Sequence, residues 1–464
     1  MQNRRKFLKN ALNHSMALPM MMGGTSLLSS LASMGAQAGD TSDYRALVCV
    51  FLFGGMDCHD TLLPFDQSSY NDFVTARSTL MDSYTALPEG STRTRDQLLA
   101  LSPASSFGGR QFALPPELSG LHTLFENGKA AIVGNVGPLL EPTNRNTFVT
   151  KSAQLPRRLF SHNDQQSTWM AFAPEGSAQY GWGGRFGDKL MNANSESVFG
   201  QISLFGNTIF LTGDNVQPYQ IGTNGVPSIS VIDRSPSGVA GILRDHFASE
   251  GDNRTNLFAR DFINISRTTL DTNDLLDNAL ESAGALLTAF PTTNLGQQLR
   301  AVAETISIRE TLGAKRQIFF VGMGGFDTHS AQALKLPGLQ QELGDAISAF
   351  YNASEELGIA EQVTTFTAAD FGRTLTANGD GTDHGWGGHH FVVGGAVNGG
   401  DIYGDIPSPQ LGHSQDAGNG RLIPTSSVEQ FAAPLGRWFG LNDTELNMAL
   451  PGLVNFPSGA MAFI

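Results

Sequence analysis

The chain has 464 residues, with 29 Lys and Arg against 43 Asp and Glu, 53 Gly, 21 Pro and two Cys. A surface this acidic repels phosphate backbones and anionic lipid, so no nucleic-acid partner is expected. Cys49 and Cys58 are too few for a disulfide framework. One bridge between them remains open in an oxidising compartment, but Cys49, inside an apolar run, reads more simply as a small buried hydrophobe.

Residues 1–38 read as an export signal. Asn3-Arg4-Arg5-Lys6-Phe7-Leu8-Lys9 matches the twin-arginine pattern, a modestly apolar stretch runs from Ala11 to Leu31, and Ala36-Gln37-Ala38 supplies a small-residue cleavage site. Asn13, His14, Pro19, Gly23 and Gly24 interrupt that stretch, which therefore lacks the ~20 nearly uninterrupted apolar residues of a spanning helix. The expectation is a chain passed to the twin-arginine export machinery and delivered to the periplasm or secreted, with no integral membrane span in its mature part. Loss of the signal leaves 25 basic residues against 43 acidic, a net charge of −18. No low-complexity linker, repeat period or charge block divides the remainder, so a single domain over 39–464 with surface insertions is expected.

In chain order, Ala46 to Phe53 is a continuous β-favouring apolar run ended by Gly54-Gly55, the pattern of a strand buried on both faces in a parallel sheet. Residues 66–113 read as an insertion. Pro115 to Asn127 predicts an amphipathic helix with Gly128 beyond its end, and Ala130 to Val136 a second buried strand. This is the βαβ order of an α/β fold. From 137 to 290 the pattern weakens to short strand-like pieces, Val198–Leu204 and Thr208–Leu211. Leu295 to Leu312 predicts a helix capped by Asn294. Gln317–Val321 then reads as a strand, Leu339–Leu357 as a helix, and Val363–Thr367 and His390–Val393 as further strands.

Ligands of open parallel sheets lie beyond the carboxyl ends of the strands, and this chain concentrates unusual residues there. The segments are Gly54 to Asp60, Ser161 to Gln166, Gly324 to Ser330, and Asp370 to His390; together they hold His59, His162, His329, His384, His389 and His390. Asp327 and His329, two apart after a strand and two glycines, are spaced to clamp one ion, and Asp383-His384 offers a second carboxylate–imidazole pair. Asp57 and Asp370 likewise follow strands. Paired cations held by such groups suit phosphoryl or sulfuryl transfer. Taken singly, Asp57 reads as a turn former, Asp-x-His as a loop hydrogen bond and Ser161 as a helix N-cap; the joint placement is what points to a site. Adjacent His389 and His390 point to opposite faces if extended, so at most one reaches it. Gly322 to Asp327 lacks the third glycine of a dinucleotide loop, and Asn378 to His389 lacks the glutamate of a calcium loop.

The stretches FLFGGMDCHDTLLP, LFSHNDQQ, GGFDTHSAQ and AADFGRTLTANGDGTDHGWGGHHFVVGG, followed by GGDIYGD, resemble in sequence order the domain-of-unknown-function family 1501 of twin-arginine-exported bacterial proteins. That family in turn resembles the alkaline phosphatase and sulfatase superfamily. The resemblance implies an alkaline-phosphatase-like α/β sandwich, its mainly parallel central sheet flanked by helices, with one or two divalent ions (zinc, manganese or calcium). It further implies that Asp327, His329 and His384 hold a first metal, and that Asp57 and Asp370 hold a second. Phe371 departs from the superfamily pattern, which has a histidine ligand there, and a phenyl ring cannot coordinate. Ser161, at a helix start, would be the nucleophile, and Arg373 would pair with an anionic substrate group. The implied activity is hydrolysis of phosphate or sulfate esters, with a small anionic ester or a polysaccharide as substrate. The opposing expectation is a non-catalytic binding or assembly protein at the cell surface on the same fold.

Overall fold

Strand β1 (Arg45–Leu52) shows why the sheet lies where it does. Ala46, Val48, Val50 and Leu52 join one apolar cluster, while Leu47, Cys49 and Phe51 join another, and all seven side chains are sealed from solvent. A strand with helices over both faces needs apolar residues at every position rather than at alternate ones. The computed structural model describes residues 41–87, 92–172, 179–226, 241–242, 245–246, 256–457 and 461–464. The expected twin-arginine signal, residues 1–38, lies outside the described residues, which all belong to one compact unit, Gly39–Ile464.

The other strands of the main sheet are β2 (Ala130–Gly137), β3 (Gln201–Ser203), β4 (Tyr219–Gln220), β5 (Arg316–Met323), β6 (Val363–Ala369), β9 (Gly388–Gly394), β10 (Ile402–Gly404) and β11 (Ser426–Ser427). A separate antiparallel ribbon pairs β7 (Arg373–Ala377) with β8 (Thr382–His384). The main sheet runs β10-β2-β9-β6-β1-β5-β3-β4, with β11 also paired to β2. Every pairing is parallel except those of β9, which runs against both β2 and β6. The fold is thus α/β with a mostly parallel sheet. Because β9 is reversed, its first residues lie at the edge where the parallel strands end.

Helices α1 (Ser119–Glu126), α4 (Asn294–Ser307) and α5 (Gln332–Glu356) cover one face through Leu121, Phe125, Leu299, Val302, Leu343 and Phe350. Helices α2 (His162–Ala171) and α6 (Val428–Phe439) cover the other through Trp169, Phe431 and Leu435. Helix α3 (Leu257–Glu281) escaped the sequence pattern. It buries Ile263, Leu276 and Ala279 but leaves Phe258, Phe262 and Ile265 in solvent, so apolar residues occur on two faces and blur the period.

Some local expectations change. Thr293, not Asn294, caps α4, its hydroxyl accepting from the Gly296 amide at 3.4 Å. Helix α5 begins seven residues before Leu339 and runs through Pro337, which brings Gln332 to its first turn. Ile209–Leu211 is a 3₁₀ turn rather than part of a strand. Insertion 66–113 contributes helices Gln67–Ala76 and Ser78–Thr85 and two strands, Leu99–Ala100 and Phe112–Leu114, of a small three-stranded sheet. Cys49 and Cys58 are both free and buried, so the bridge left open by the sequence is not made.

Candidate metal centre

Chain turns beyond β1, β5 and β6, the ribbon β7–β8 and the start of α2 meet at the carboxyl edge of the sheet. Gly54 is the joint between them. With φ at 111°, its position would put an added Cβ 2.4 Å from the Asp327 amide nitrogen, a clash no side chain tolerates. Its amide donates to Asp370 Oδ2 at 3.2 Å and its carbonyl accepts from Arg373 Nη1 at 3.0 Å, so one glycine ties three loops together.

Three imidazoles gather around Asp327. His384 donates through Nδ1 to the Phe160 carbonyl at 2.7 Å, which leaves its Nε2 as a lone pair 3.2 Å from Asp327 Oδ1. His329 is held at Nδ1 by Asp383 Oδ1 at 3.2 Å, and its Nε2 lies 3.2 Å from Asp327 Oδ1 and 2.8 Å from His384 Nε2. His162 donates from Nδ1 to Asp370 Oδ2 at 2.6 Å; its Nε2, 3.5 Å from Asp327 Oδ2, is buried without a hydrogen-bond partner. Each ring is therefore pinned at Nδ1 by an acceptor and turns Nε2 inward, as metal-bound histidines do.

With each Nδ1 donating, acceptor atoms facing one another at 2.8–3.2 Å repel unless a proton or a cation lies among them. His162, Asp327 and His384 each offer one ligand atom, all within 4.8 Å of one another, and form a candidate metal-binding triad. His329 lies beside that triad, its Nε2 2.8 Å from His384 Nε2. The donor set, nitrogen-rich with one carboxylate, suits zinc or manganese and not calcium, which takes oxygen ligands.

The surroundings tune these groups. Partial burial works to raise the pKa of Asp327, but the Arg373 hydrogen bond and charge and the nearby imidazoles outweigh it and hold the carboxyl below its usual range. The hydrogen bond to Asp370 raises His162, while burial lowers His384. Phe371 lies against both rings, with centroids 4.9 Å from His162 and 4.8 Å from His384, and so walls the centre without ligating.

The sequence-predicted residues separate into three groups. Asp327, His329 and His384 come together. Asp370 Oδ2 and Asp383 Oδ1 instead hold the Nδ1 atoms of His162 and His329, while Asp370 Oδ1 is buried without a hydrogen-bond partner. Asp57 is elsewhere: Arg77 grips both its oxygens at 2.7 and 2.8 Å, Gln332 donates to it at 2.6 Å, and the pair is fully buried. Asp57, expected as a ligand of a second cation, thus lies apart from the three imidazoles with both oxygens taken. Arg373, expected to pair with a substrate anion, is turned into the protein. Its side chain has no exposure and donates to Asp327, Gly54 and Thr382, leaving no fork for a substrate anion. Ser161 occupies the N-cap position of α2, with its hydroxyl donating to Asp164 Oδ2 at 2.7 Å.

Three other histidines lie apart. Burial holds His59 at about 3, His389 at about 4 and His390 at about 3, all neutral. His390 packs between the Trp169 and Phe431 rings, and His389 accepts from the Asn135 amide. Neither joins the centre. The residue that sequence reasoning missed is His162. Its signal was the gap at Phe371: a position that lacks its expected imidazole invites a search for another one nearby.

Fold and site together define an α/β protein with a candidate metal centre on the carboxyl edge of a mostly parallel sheet. The family described as "Protein of unknown function (DUF1501)" matches residues 44–453, and the chain belongs to it. No curated protein matches the chain. Among the described residues, no helix is long and apolar enough to cross a membrane.

Proposed function

We propose that this protein is an exported, metal-dependent hydrolase of phosphate or sulfate esters that uses one divalent cation held by His162, Asp327, His329 and His384. The observation that carries the reading is the inward convergence of three Nδ1-pinned imidazoles on one carboxylate, with the buried His162 Nε2 unpartnered. Zinc or manganese bound there would supply Lewis acidity toward an ester oxygen and lower the pKa of a water. The chain's own residues do the rest. Asp370, Asp383 and the Phe160 carbonyl keep the three rings oriented, Arg373 holds Asp327, and the exposed Asp327 and His329 leave the centre open to an ester arriving from solvent. One cation is preferred to two because Asp57 is committed to Arg77 and Phe371 carries no donor atom.

Export rests on the Arg4-Arg5 signal and would place the activity in the periplasm or outside the cell. The substrate is a small anionic ester or an esterified polysaccharide. The test is hydrolysis of nitrophenyl phosphate and sulfate by protein recovered after export, stripped with chelator and resupplied with zinc or manganese. Turnover restored by metal and lost in Asp327→Ala supports the reading.

A second reading, a non-catalytic binding or assembly protein at the cell surface, is favoured by one observation. Ser161 and Arg373, the expected nucleophile and anion receptor, are both engaged inside the protein. On that reading metal binds but no ester is turned over.

A further inference from the structure

We propose that Arg373 is a positioning residue for the metal centre, held in place by Thr382 and Gln332 through a buried relay that ends on the Asp57–Arg77 ion pair. The inference rests on the metal-centre reading and deepens it, by assigning how Asp327 is presented to the cation.

Hydrogen-bond direction is fixed at every joint. Gln332 Nε2 donates to Asp57 Oδ2 at 2.6 Å, so its Oε1 is an acceptor, and it takes the Thr382 hydroxyl at 2.7 Å and the Thr328 hydroxyl at 3.0 Å. Thr382 has one hydroxyl proton and gives it to Gln332; its oxygen then accepts from Arg373 Nε at 2.9 Å. A second Arg373 nitrogen donates to the Thr382 carbonyl. What remains of the fork, Nη1, reaches the Gly54 carbonyl at 3.0 Å and Asp327 Oδ1 at 2.9 Å. Gln332, Thr328, Thr382 and Arg373 have no solvent exposure, and Asp57 is 1% exposed.

Asp327 itself sits on an exposed turn, its side chain 45% accessible, and a free carboxylate there would sample several rotamers. Arg373 takes Oδ1 and leaves Oδ2 turned toward His162, so the ligand is ordered before a cation arrives. The guanidinium does this only because Thr382 fixes its other end. A Lys side chain, with one charged nitrogen, cannot bridge Thr382 and Asp327 in the same way.

The test titrates zinc into exported, chelator-stripped protein. Thr382→Val keeps the shape and removes the hydroxyl, and Thr382→Ser keeps the hydroxyl. The expected result is a loss of zinc affinity of about ten- to a hundredfold in Thr382→Val, with Thr382→Ser within about threefold of the wild type. Wild-type affinity in Thr382→Val overturns the relay, and so does a Thr382→Ser as weak as the valine variant, which would assign the loss to packing. Should the valine variant not fold, Arg373→Lys is measured in its place, with the same loss expected and wild-type affinity again overturning the relay. A wild type that binds no zinc overturns the metal-centre reading and the relay's role with it; a wild type that binds while Thr382→Val binds equally overturns the relay alone.

Discussion

His329 and His384 stand with their Nε2 atoms 2.8 Å apart, while each ring is anchored at the opposite nitrogen, His329 on Asp383 and His384 on the Phe160 carbonyl. Two lone pairs at that distance, with Asp327 Oδ1 3.2 Å from each, would repel one another unless a proton or a cation lay between them. Phe160 adopts a left-handed φ of 73° as it delivers its carbonyl. Strain of this kind is retained where function requires it.

Relief of that repulsion should stabilise the empty protein. His329→Ala, freed of chelatable metal at pH 8, is expected to be more stable than the equally metal-free wild type by about 0.5–2 kcal/mol, and to lose the rise in melting temperature that zinc gives the wild type. Thermal melts with and without chelator check both halves. A variant less stable than wild type in chelator would show that the three acceptors are not in conflict.

Asp370 should matter through the tautomer of His162. In Asp370→Asn the amide can donate to Nδ1 and leave the proton on Nε2, where it blocks coordination. Zinc affinity is expected to fall about ten- to a hundredfold, as far as in His162→Ala. Equal affinity of Asp370→Asn and wild type, measured by titration, would place His162 outside the ligand set.

Asp57 should behave as a stability residue. Its removal leaves Arg77 charged and buried with no carboxylate on it, held by the Leu375 and Thr374 carbonyls and the Phe73 ring. Asp57→Ala is expected to lose about 3–5 kcal/mol in urea unfolding, by the same amount with and without zinc. A loss seen only in the presence of zinc would return Asp57 to the metal centre.

Glu429 sets a pH dependence of its own. It lies buried at the start of α6, so close to Gly452 that a Cβ there would sit 2.4 Å from Oε1. Burial raises its carboxyl from 4.5 to about 7, against weaker opposing pulls from its own backbone amide, Ser427 and Arg185. A folded-state value above the unfolded one means the folded protein binds the extra proton between those limits. Stability therefore falls as pH rises from about 4.5 through 7, and the full penalty is present above 7. Glu429→Gln is expected to exceed wild type by up to roughly 3 kcal/mol at pH 8 and by nothing at pH 4. Denaturant melts at the two pH values decide it, and an equal difference at both would contradict the assignment.

The sheet was legible because its strands are buried on both faces. Arg45–Leu52 and Ala130–Gly137 are short runs without polar alternation, and Arg316–Met323 and Val363–Ala369 are likewise buried at every position. Helix α3 was not, because Phe258, Phe262 and Ile265 face solvent and disguise the period of Ile263, Leu276 and Ala279. At the site, the convergence of Asp327, His329 and His384 was legible from their place beyond or between strands, whereas the split between inward-facing groups and the groups that orient them was hidden. It depends on partners distant in sequence. Arg77, in the insertion, reaches back to Asp57, and α2 brings His162 onto Asp370, 208 residues away. A motif gives residue types in order; only packing decides which carboxylate meets an imidazole and which meets a guanidinium.

The central claim is that the inward-turned imidazoles and Asp327 hold one cation. Elemental analysis of the folded protein, purified without added metal, tests it most directly. About one zinc or manganese per chain, absent from Asp327→Ala and His162→Ala recovered in the same folded state, is the predicted result. A fully folded wild type with no bound transition metal, and none taken up on dialysis against zinc or manganese, would contradict it.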